Sequence, residues 1–234
     1  MKLQDIRSKL QKLGNKQKAK VLQRFFKTSL GDYGEGDIFL GARVPDIRKL
    51  AKEYQEIRII EVQKLLKSPF HEERLLALLI LVIKYSKGND VVKKRIYELY
   101  LKNTRHINNW DLVDLSAEKI VGDYLMDKSK KSLYNLAKSK SLWERRISIM
   151  ATFHFIKQNK YFETLIIAEM LLTDKEDLIH KAVGWMLREV GKRHMQTGEK
   201  FLNEHYKKMP RAMLRYAIER FPESKRQGYL KGDL

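Results

Sequence analysis

Apolar residues recur along most of this chain at the three- and four-residue spacing that places them on one face of an α-helix. The pattern predicts helices near residues 2–13, 15–28, 45–54, 59–67, 70–87, 89–104, 109–126, 129–138, 141–158, 160–172, 175–192, 198–207 and 210–221. No segment alternates apolar and polar residues in the way that a half-buried strand does. The sequence therefore predicts an all-α protein.

The breaks between these segments are also typical of a helical protein. Pro45, Pro69 and Pro210 fall at or near first-turn positions, where a missing backbone N–H removes no helical hydrogen bond. The one long irregular stretch is 29–44, and its four glycines predict a loop. Its acidic and aromatic residues make it a candidate lip of a binding site. No low-complexity linker divides the chain, so we expect a single domain over residues 1–234.

Five of the predicted helices recur at a nearly constant distance along the chain. Their second residues are Arg74, Trp110, Arg146, Lys181 and Arg215, which are separated by steps of 36, 36, 35 and 34 residues. A period of this size that spans two helices each time is typical of an α-solenoid of helical hairpins. The spacing therefore predicts an α-α superhelix (solenoid) whose inner helices line a concave face.

Composition narrows the kinds of chemistry that the chain can carry. The sequence contains no cysteine, which excludes disulfides, thiolate zinc sites and cysteine nucleophiles. The six histidines show no metal-ligand spacing, and no phosphate-binding or dinucleotide-binding motif occurs, so we expect no metal and no cofactor. The longest apolar run, 75–83, is shorter than the roughly 20 residues that span a bilayer. The N-terminus lacks the apolar stretch of a signal peptide, so we expect a cytoplasmic protein that does not associate with a membrane.

The charge of the chain points to a polyanionic partner. Lysine and arginine outnumber aspartate and glutamate by 48 to 29, which gives a formal net charge of +19. An excess of this size favours nucleic acid. A membrane surface is less favoured, because the basic residues are spread along the chain and are not gathered on one amphipathic helix. The concave face of the predicted solenoid is therefore expected to be a basic groove.

The segment NNWDLVD, residues 108–114, places an indole and a carboxylate together. Trp110 and Asp114 are four residues apart, so on a helix they point the same way. The core face of this helix is better filled by four other residues, Val113, Ala117, Val121 and Tyr124. A second tryptophan, Trp185, has Lys181 and Arg188 at helical spacing on its own face.

Two interpretations of Trp110 and Asp114 remain open. A tryptophan in a helical protein is most often part of the core, and Asp114 could be a structural ion-pair partner. Alternatively the pair forms a working surface beside the basic residues. Cleavage of an N-glycosidic bond in DNA develops positive charge on the deoxyribose, which a carboxylate stabilises while it orients or deprotonates a water. Indole faces also attract cations.

The sequence resembles a known family in four segments. GDIFLGARVPDIRKLAK at 36–52, INNWDLVD at 107–114, LWERRISIMAT at 142–152 and HKAVGWMLRE at 180–189 are similar to the AlkD-like bacterial alkylpurine DNA glycosylases, which are built from HEAT-like repeats. The resemblance covers nearly the whole chain. It implies a superhelix of HEAT-like repeats that binds duplex DNA in its concave basic groove. It also implies that cationic N3- or N7-alkylated purines are excised without flipping of the base, by an enzyme that we expect to be a monomer.

The resemblance also implies roles for individual residues. Trp110 and Asp114 would contact the deoxyribose of the lesion, and Trp185 would complete the catalytic set. Arg146 would face the DNA, and Arg188 would contact a phosphate. From the basic row and helical spacing, we also expect DNA contacts from Arg74 and Lys181.

Two other possibilities stay open from the sequence alone. One is a catalytically inactive HEAT-like solenoid that binds structured nucleic acid or an acidic protein. The other is a lysine nucleophile that forms a Schiff base with the sugar, although nothing singles out one lysine among so many. Trp110, Asp114 and Trp185 favour the glycosylase, because a protein that only binds a polyanion has no use for a carboxylate in its basic row.

Overall fold

The computed structural model of this chain describes residues 3–233. Its helices are α1 (Leu3–Lys12), α2 (Lys16–Phe25), α3 (Val44–Glu53), α4 (Ile59–Leu66), α5 (His71–Lys87), α6 (Asp90–Lys102), α7 (Trp110–Ala117), α8 (Asp123–Leu125), α9 (Lys131–Ala137), α10 (Leu142–Ala151), α11 (Phe153–Lys157), α12 (Phe162–Met170), α13 (Asp177–Arg193), α14 (Met195–His205), α15 (Arg211–Ala217) and α16 (Glu223–Lys231). Over the described residues there is no β-strand, and a single isolated bridge joins Ile38 and Phe70. The predicted all-α class is confirmed.

Three details differ from the predicted helices. The segment predicted over 109–126 contains α7 and α8 joined by a π-helical turn, Glu118–Gly122. The segment 141–158 is divided at Thr152 into α10 and α11. The helix α16 was not predicted, because its sequence carries only one buried residue, Tyr229, and therefore shows no apolar stripe.

Equivalent contacts at three helix starts support the repeat and correct its register. Arg74 and Arg145 each donate from Nη1 to carbonyl oxygens five and six residues earlier, at 3.0–3.1 Å and 3.0 Å respectively. The Nε2 atom of His180 lies 2.5 Å from the carbonyl oxygen six residues earlier. The residues equivalent to Arg74 are therefore Arg145 and His180, one position before the predicted Arg146 and Lys181. The sequence pattern alone could not distinguish Arg145 from its neighbour.

Two compact units make up the fold, one ending at Ser116 and the other beginning at Ala117. In the first unit the apolar residues of α5 are buried against α3 and α4. In the second unit α13 packs against α15, α14 and α10. The single domain and the concave basic groove stay predictions. None of the helices in residues 3–233 is both long enough and apolar enough to cross a membrane.

Polar residues in the first turn of α5 hold the irregular 29–44 segment in place. The carboxylate of Glu72 accepts hydrogen bonds from the backbone N–H groups of Leu40 (2.9 Å) and Gly41 (2.7 Å). Gly41 has a φ of 82°, and a side chain there would meet the carbonyl oxygen of Asn15 at 2.2 Å. The 29–44 loop is therefore packed against the helices, and it carries Asp37 towards the start of α7.

Candidate functional site

The start of α7 is fixed by the carboxylate of Asp37. Asn108 and Asn109 donate from Nδ2 to its two oxygens, at 3.2 and 3.4 Å. Asn109 is fully buried, and its Oδ1 atom accepts from the backbone N–H of Trp110 at 2.9 Å. The loop thus sets the position at which the helix begins, and with it the position of the indole.

Trp110 is half-buried against two phenylalanines at the end of α2. Its ring stacks on Phe26, with centroids 5.1 Å apart and ring planes 18° apart, and it meets Phe25 edge-on at 6.0 Å. Phe26 stacks in turn on Phe39 of the 29–44 loop, at 5.0 Å and 20°. Phe25 is 61 % exposed. Trp110 is therefore neither a core residue nor a loosely attached surface residue.

Asp114 lies one turn after Trp110 and is also half-buried. Burial is the main cause that raises the pKa of the Tyr100 hydroxyl, and the charge of Asp114 raises that pKa further. The Tyr100 hydroxyl is hydrogen-bonded to Ser116 at 2.9 Å. The Asp114 carboxylate therefore acts electrostatically on a tyrosine that supports α7 from α6.

The predicted core face of this helical segment is largely correct. Val113, Ala117 and Val121 have no exposed surface. Tyr124 is only half-buried, and Lys128 lies over its ring at 4.5 Å. Three of the four residues predicted for the core face are therefore buried, whereas Trp110 and Asp114 are half-buried. Their catalytic roles stay predictions.

A buried network of charges lies behind this face. His71 is 2 % exposed, and its ring nitrogens lie 3.0 Å from Asp37 Oδ2 and 2.8 Å from Asp111 Oδ2. Arg74 donates to the other oxygen of Asp37 at 2.6 Å. Carboxylates accept hydrogen bonds and do not donate them, so both ring nitrogens of His71 carry a proton. His71 is therefore an imidazolium between two carboxylates.

Opposing effects act on the pKa values in this network. Burial alone lowers the pKa of His71, but the hydrogen bonds to Asp111 and Asp37 outweigh burial and raise it above the ordinary 6.5. Burial likewise raises the pKa of Asp37, but His71 and Arg74 reverse that effect and hold it below the ordinary 3.8. Both shifts favour the charged forms of His71 and Asp37, because each group is stabilised by a partner of opposite charge.

This network corrects the expectation for Arg74. Its side chain is buried, with 3 % of the residue exposed, and it is engaged by Asp37 and by two backbone carbonyls. A guanidinium in this position has no access to a phosphate. Arg74 therefore belongs to the support of the loop, not to an exposed basic surface.

A cavity of about 310 Å³ in the first unit borders the network. Its walls are mainly apolar and include Phe26, Phe39, Ile47 and Leu75, and the side chains of His71 and Asp111 line one part of it. Most polar atoms of the buried network are hydrogen-bonded within the protein, but Arg74 Nε and Asn108 Oδ1 are buried without a hydrogen-bond partner. The network is therefore bordered on one side by this cavity, through His71 and Asp111.

The basic charge near Trp110 comes from a segment that sequence reasoning did not single out. Residues 12–30 carry six lysines and arginines and no acidic residue. The helix α2 lies within this segment, and its last turn supplies the ring that packs against Trp110. A helix within a net positive segment therefore adjoins the indole, which suits a polyanionic partner.

In the second unit, Trp185 lies on α13 and is half-buried. Its ring is 6.1 Å from that of Phe153. Lys157 and Arg193 lie over the Phe153 ring, at 4.4 and 5.7 Å from its centre. Trp185 thus has one aromatic neighbour among cations, in place of the stacked aromatic rings that hold Trp110.

The three basic residues predicted in this unit differ in exposure. Arg146 is 5 % exposed and donates to the carbonyl oxygen of Leu178 at 2.5 Å, which contradicts the expectation of an exposed residue. Lys181 is partly exposed and pairs with Asp177 at 2.5 Å, one turn earlier. Arg188 pairs with Glu219 across to α15. Lys181 and Arg188 therefore keep the accessibility that a phosphate contact needs.

Arg188 also borders a basic pocket. A pocket of about 300 Å³ is lined by Arg188, Lys192, Arg193 and Arg220 together with Phe221. Glu189 partly neutralises it through Lys192 (3.1 Å) and Arg193 (2.8 Å), which lower the pKa of this carboxyl against the opposing effect of burial. Glu219 pairs with Arg188 and lies 3.8 Å from Arg220, so these two arginines are also partly neutralised. Within residues 3–233 no three histidine or acidic side chains are grouped so that they could hold a metal ion.

Sequence reasoning missed His71, Asp37 and Asp111. The signal was the run HEER at 71–74, in which four consecutive polar residues precede the apolar run LLALLILVI. All four residues are buried in the structure. A polar group at the start of a buried helix needs a partner, and the acidic residues of 29–44 and of the motif at 108–114 were available.

The fold and the site together define an all-α helical-repeat protein with an indole and a carboxylate on one helix, beside a strongly basic segment. Residues 6–221 match the family described as DNA alkylation repair enzyme, and the chain belongs to that family. A solved structure described as a predicted DNA alkylation repair enzyme from Enterococcus faecalis is similar, with a TM-score of 0.68 and 16 % sequence identity. The alignment covers 90 % of this chain and 97 % of that one. At this identity the likeness supports the fold alone, and no curated protein matches the sequence.

Proposed function

We propose that this protein is a monofunctional DNA glycosylase that hydrolyses the N-glycosidic bond of cationic N3- or N7-alkylated purines in duplex DNA. The observation that carries the proposal is the placement of Trp110 and Asp114. They lie one turn apart on α7, outside its buried face, in a family of DNA alkylation repair enzymes. A basic segment adjoins the indole, so a DNA backbone is favoured at this place.

The chemistry follows from the charge that develops during the reaction. An N3- or N7-alkylated purine already carries a positive charge, so it leaves without protonation by the enzyme. As the bond breaks, positive charge appears on the deoxyribose, and the Asp114 carboxylate stabilises that charge and orients the attacking water. The face of the Trp110 indole adds a cation–π attraction to the same charge.

The second unit contributes DNA contacts in this proposal. Lys181 and Arg188 are two of the basic residues on α13, with side chains 42 % and 19 % exposed, and Trp185 lies between them along the helix. Their role is to bind phosphates and to hold the sugar of the lesion. By the same proposal the enzyme works as a monomer, without flipping the base into a pocket and without a metal or cofactor.

The test is release of a single base from a defined duplex. The protein is incubated with a duplex that carries one 7-methylguanine, and abasic sites are revealed by cleavage with alkali. A matched duplex with hypoxanthine, a neutral purine, at the same position is the control. We expect release of 7-methylguanine and little release of hypoxanthine, because only the alkylated base is a cationic leaving group.

The other outcomes identify the alternatives. A protein that binds the duplex but leaves 7-methylguanine intact would be the inactive nucleic-acid-binding solenoid. Trapping of a covalent adduct with borohydride would indicate a lysine Schiff base in place of hydrolysis.

A further inference from the structure

We propose that the His71 imidazolium is a positioning residue of the glycosylase site. It joins Asp111 of α7 to Asp37 of the 29–44 loop, and in this way it determines where α7 presents Trp110 and Asp114. The inference rests on the proposed function. It adds a residue that touches neither DNA nor the reacting atoms.

The first step is the geometry at Asp111. This residue follows Trp110 directly and precedes Asp114 by three positions, so it belongs to the same turn of α7. Its Oδ2 atom lies 2.8 Å from His71 Nε2, and its Oδ1 atom accepts from the backbone N–H of Leu112 at 2.9 Å. A charge-assisted hydrogen bond to the first turn of a helix restricts the translation and rotation of that turn.

The second step is the anchor on the opposite side of the ring. His71 Nδ1 bonds to Asp37, which is held in turn by Arg74 and by the side chains of Asn108 and Asn109. His71 therefore contacts a carboxylate whose position is fixed by three other groups. It transmits that position to α7.

The third step is the packing of the imidazolium ring. It stacks on Phe39 at 4.4 Å and 20°, and it meets Phe26 at 5.1 Å and 37°. Phe26 is also the ring on which Trp110 stacks. A displacement of His71 therefore reaches the indole by two routes, through Asp111 and through Phe26.

The charges around the ring make its protonation state important. The groups that face it are Asp37 from the loop, Asp111 from α7 and Arg74 from its own helix. Together with His71 they carry no net charge. Loss of the ring proton would leave a net negative charge in a buried place and would break one of the two hydrogen bonds, which is unfavourable.

Two substitutions at His71 separate its two hydrogen bonds. The amide nitrogen of asparagine takes the place of Nδ1, and that of glutamine takes the place of Nε2. His71→Asn therefore keeps a donor for Asp37 and loses the one for Asp111, whereas His71→Gln does the reverse. We expect single-turnover release of 7-methylguanine at saturating protein to fall roughly tenfold or more in His71→Asn, because a small misplacement of reacting groups is costly. His71→Gln should be impaired less.

Glu73→Gln is the matched control for a general loss of stability. Glu73 lies in the same buried turn of α5 and pairs with Arg7 of α1 at 3.1 Å. It lies two residues after His71, but its ion-pair partner belongs to α1 and not to α7. We expect Glu73→Gln to lower the melting temperature and to leave the rate per folded molecule unchanged.

The pH profile gives a readout that a purely structural role would not change. At saturating protein, the wild-type rate should be constant in mildly acidic solution and should fall as the pH rises through the raised pKa of His71. His71→Gln cannot titrate at this position and should lack that fall. Equal rates in the wild type, His71→Asn and His71→Gln, or an equal loss in Glu73→Gln and His71→Asn, would overturn the inference.

An experiment without turnover separates failure of this inference from failure of the proposed function. The indole N–H resonance of Trp110 can be followed by NMR in ¹⁵N-tryptophan-labelled protein and assigned with Trp110→Phe. We expect it to shift as His71 titrates, and to be displaced in His71→Asn but not in Glu73→Gln. If the wild type releases no base, the proposed function fails. If the Trp110 resonance neither shifts as the pH rises through the pKa of His71 nor moves in His71→Asn, the positioning role fails whether or not the base is released.

Discussion

The region around Trp110 and the region around Trp185 contain the same kinds of residue but are held together differently. Each has a tryptophan on a helix with charged residues within one turn. Trp110 is backed by stacked rings and by the buried charges of Asp37, His71 and Arg74. Around Trp185 the cations pair with carboxylates near the surface, as Lys181 does with Asp177.

The difference shows that a basic residue in a repeat has no fixed role. Arg74 is buried because Asp37, on a loop that occurs only once in the chain, lies within 2.6 Å of it. The side chain of Arg188 is 19 % exposed, against 4 % for Arg74, and its partner Glu219 is 47 % exposed. We expect substitutions in the first region to change stability and rate, and those in the second to change binding.

The largest expected effect is on stability at Arg74. Arg74→Met leaves the Asp37 carboxylate buried without its cation, so the free energy of unfolding should fall by about 3–5 kcal/mol. Arg188→Met, a chemically identical change at a more exposed pair, should alter it by about 1 kcal/mol or less. Urea unfolding of the two variants and the wild type measures both values. An Arg74→Met protein of normal stability but weakened DNA binding would restore Arg74 to the DNA-contacting surface.

The next effect concerns the rate at Asp114. Asp114→Asn keeps the shape of the side chain and removes its charge, so release of 7-methylguanine should slow by about 10²-fold or more. Binding to the duplex should stay the same or become tighter, since a negative charge has left a phosphate-binding surface. Single-turnover excision and thermal unfolding are measured on the same variant. A folded Asp114→Asn protein with the wild-type rate would end the catalytic assignment.

The pH dependence of stability tests the buried network as a unit. The pKa of His71 is raised, so its stabilising contribution is complete below its unfolded value and is lost as the pH rises through the folded value. The pKa of Asp37 is lowered, so its contribution is present above its unfolded value and is lost as the pH falls through the folded value. Unfolding free energies of wild type and His71→Gln should therefore differ most in mildly acidic solution. A difference that does not vary with pH would exclude a protonated His71.

A smaller effect distinguishes the two tryptophans. Trp110→Phe keeps a ring to stack on Phe26 but loses the larger indole, and it should slow release by a factor that corresponds to about 1–2 kcal/mol, the scale of a cation–π contact. Trp185→Phe should leave the rate closer to wild type and should mainly weaken binding. Excision rates and dissociation constants of the two variants test this. The opposite order of effects on the rate would place the centre of the reaction at Trp185.

The sequence was sufficient for the helices but not for the buried charges. The apolar spacing that predicted α5, α7 and α13 is a local property, because the residues of each buried face all lie within one short segment of the sequence. The partner of Arg74 is not local: Asp37 lies 37 residues earlier, in a loop without periodicity. The burial of a charged residue depends on such distant partners, so a row of basic residues could not show which of them are exposed.

The register of the repeat shows the same limit on a finer scale. Arg145 and Arg146 are adjacent and identical in type, and a period of 34–36 residues accommodates either one. The structure distinguishes them by contacts: Arg145 binds Asp174 at 2.6 Å and two carbonyl oxygens, as Arg74 does in the first unit. The pair Trp110 and Asp114 was recognised because both its spacing and its sequence motif lie within seven residues.

The smallest expected effects lie at the accessible cations of α13. Lys181→Gln and Arg188→Gln should each weaken binding to duplexes of any sequence, because phosphate contacts carry no sequence information. Each should also reduce the slope of log affinity against log salt by about 1, since one fewer counterion is released. Their stabilities should change by less than about 1 kcal/mol, because exposed ion pairs contribute little.

Lys9→Gln is the matched control: it removes the same charge from an exposed pair with Glu53 in the first unit, at a residue for which no DNA contact is proposed. Binding titrations over a series of salt concentrations should therefore show a reduced slope for the two α13 variants and a wild-type slope for the control. Equal slopes in all four proteins would remove Lys181 and Arg188 from the DNA-contacting surface and would leave the basic segment of residues 12–30 as its principal source of charge.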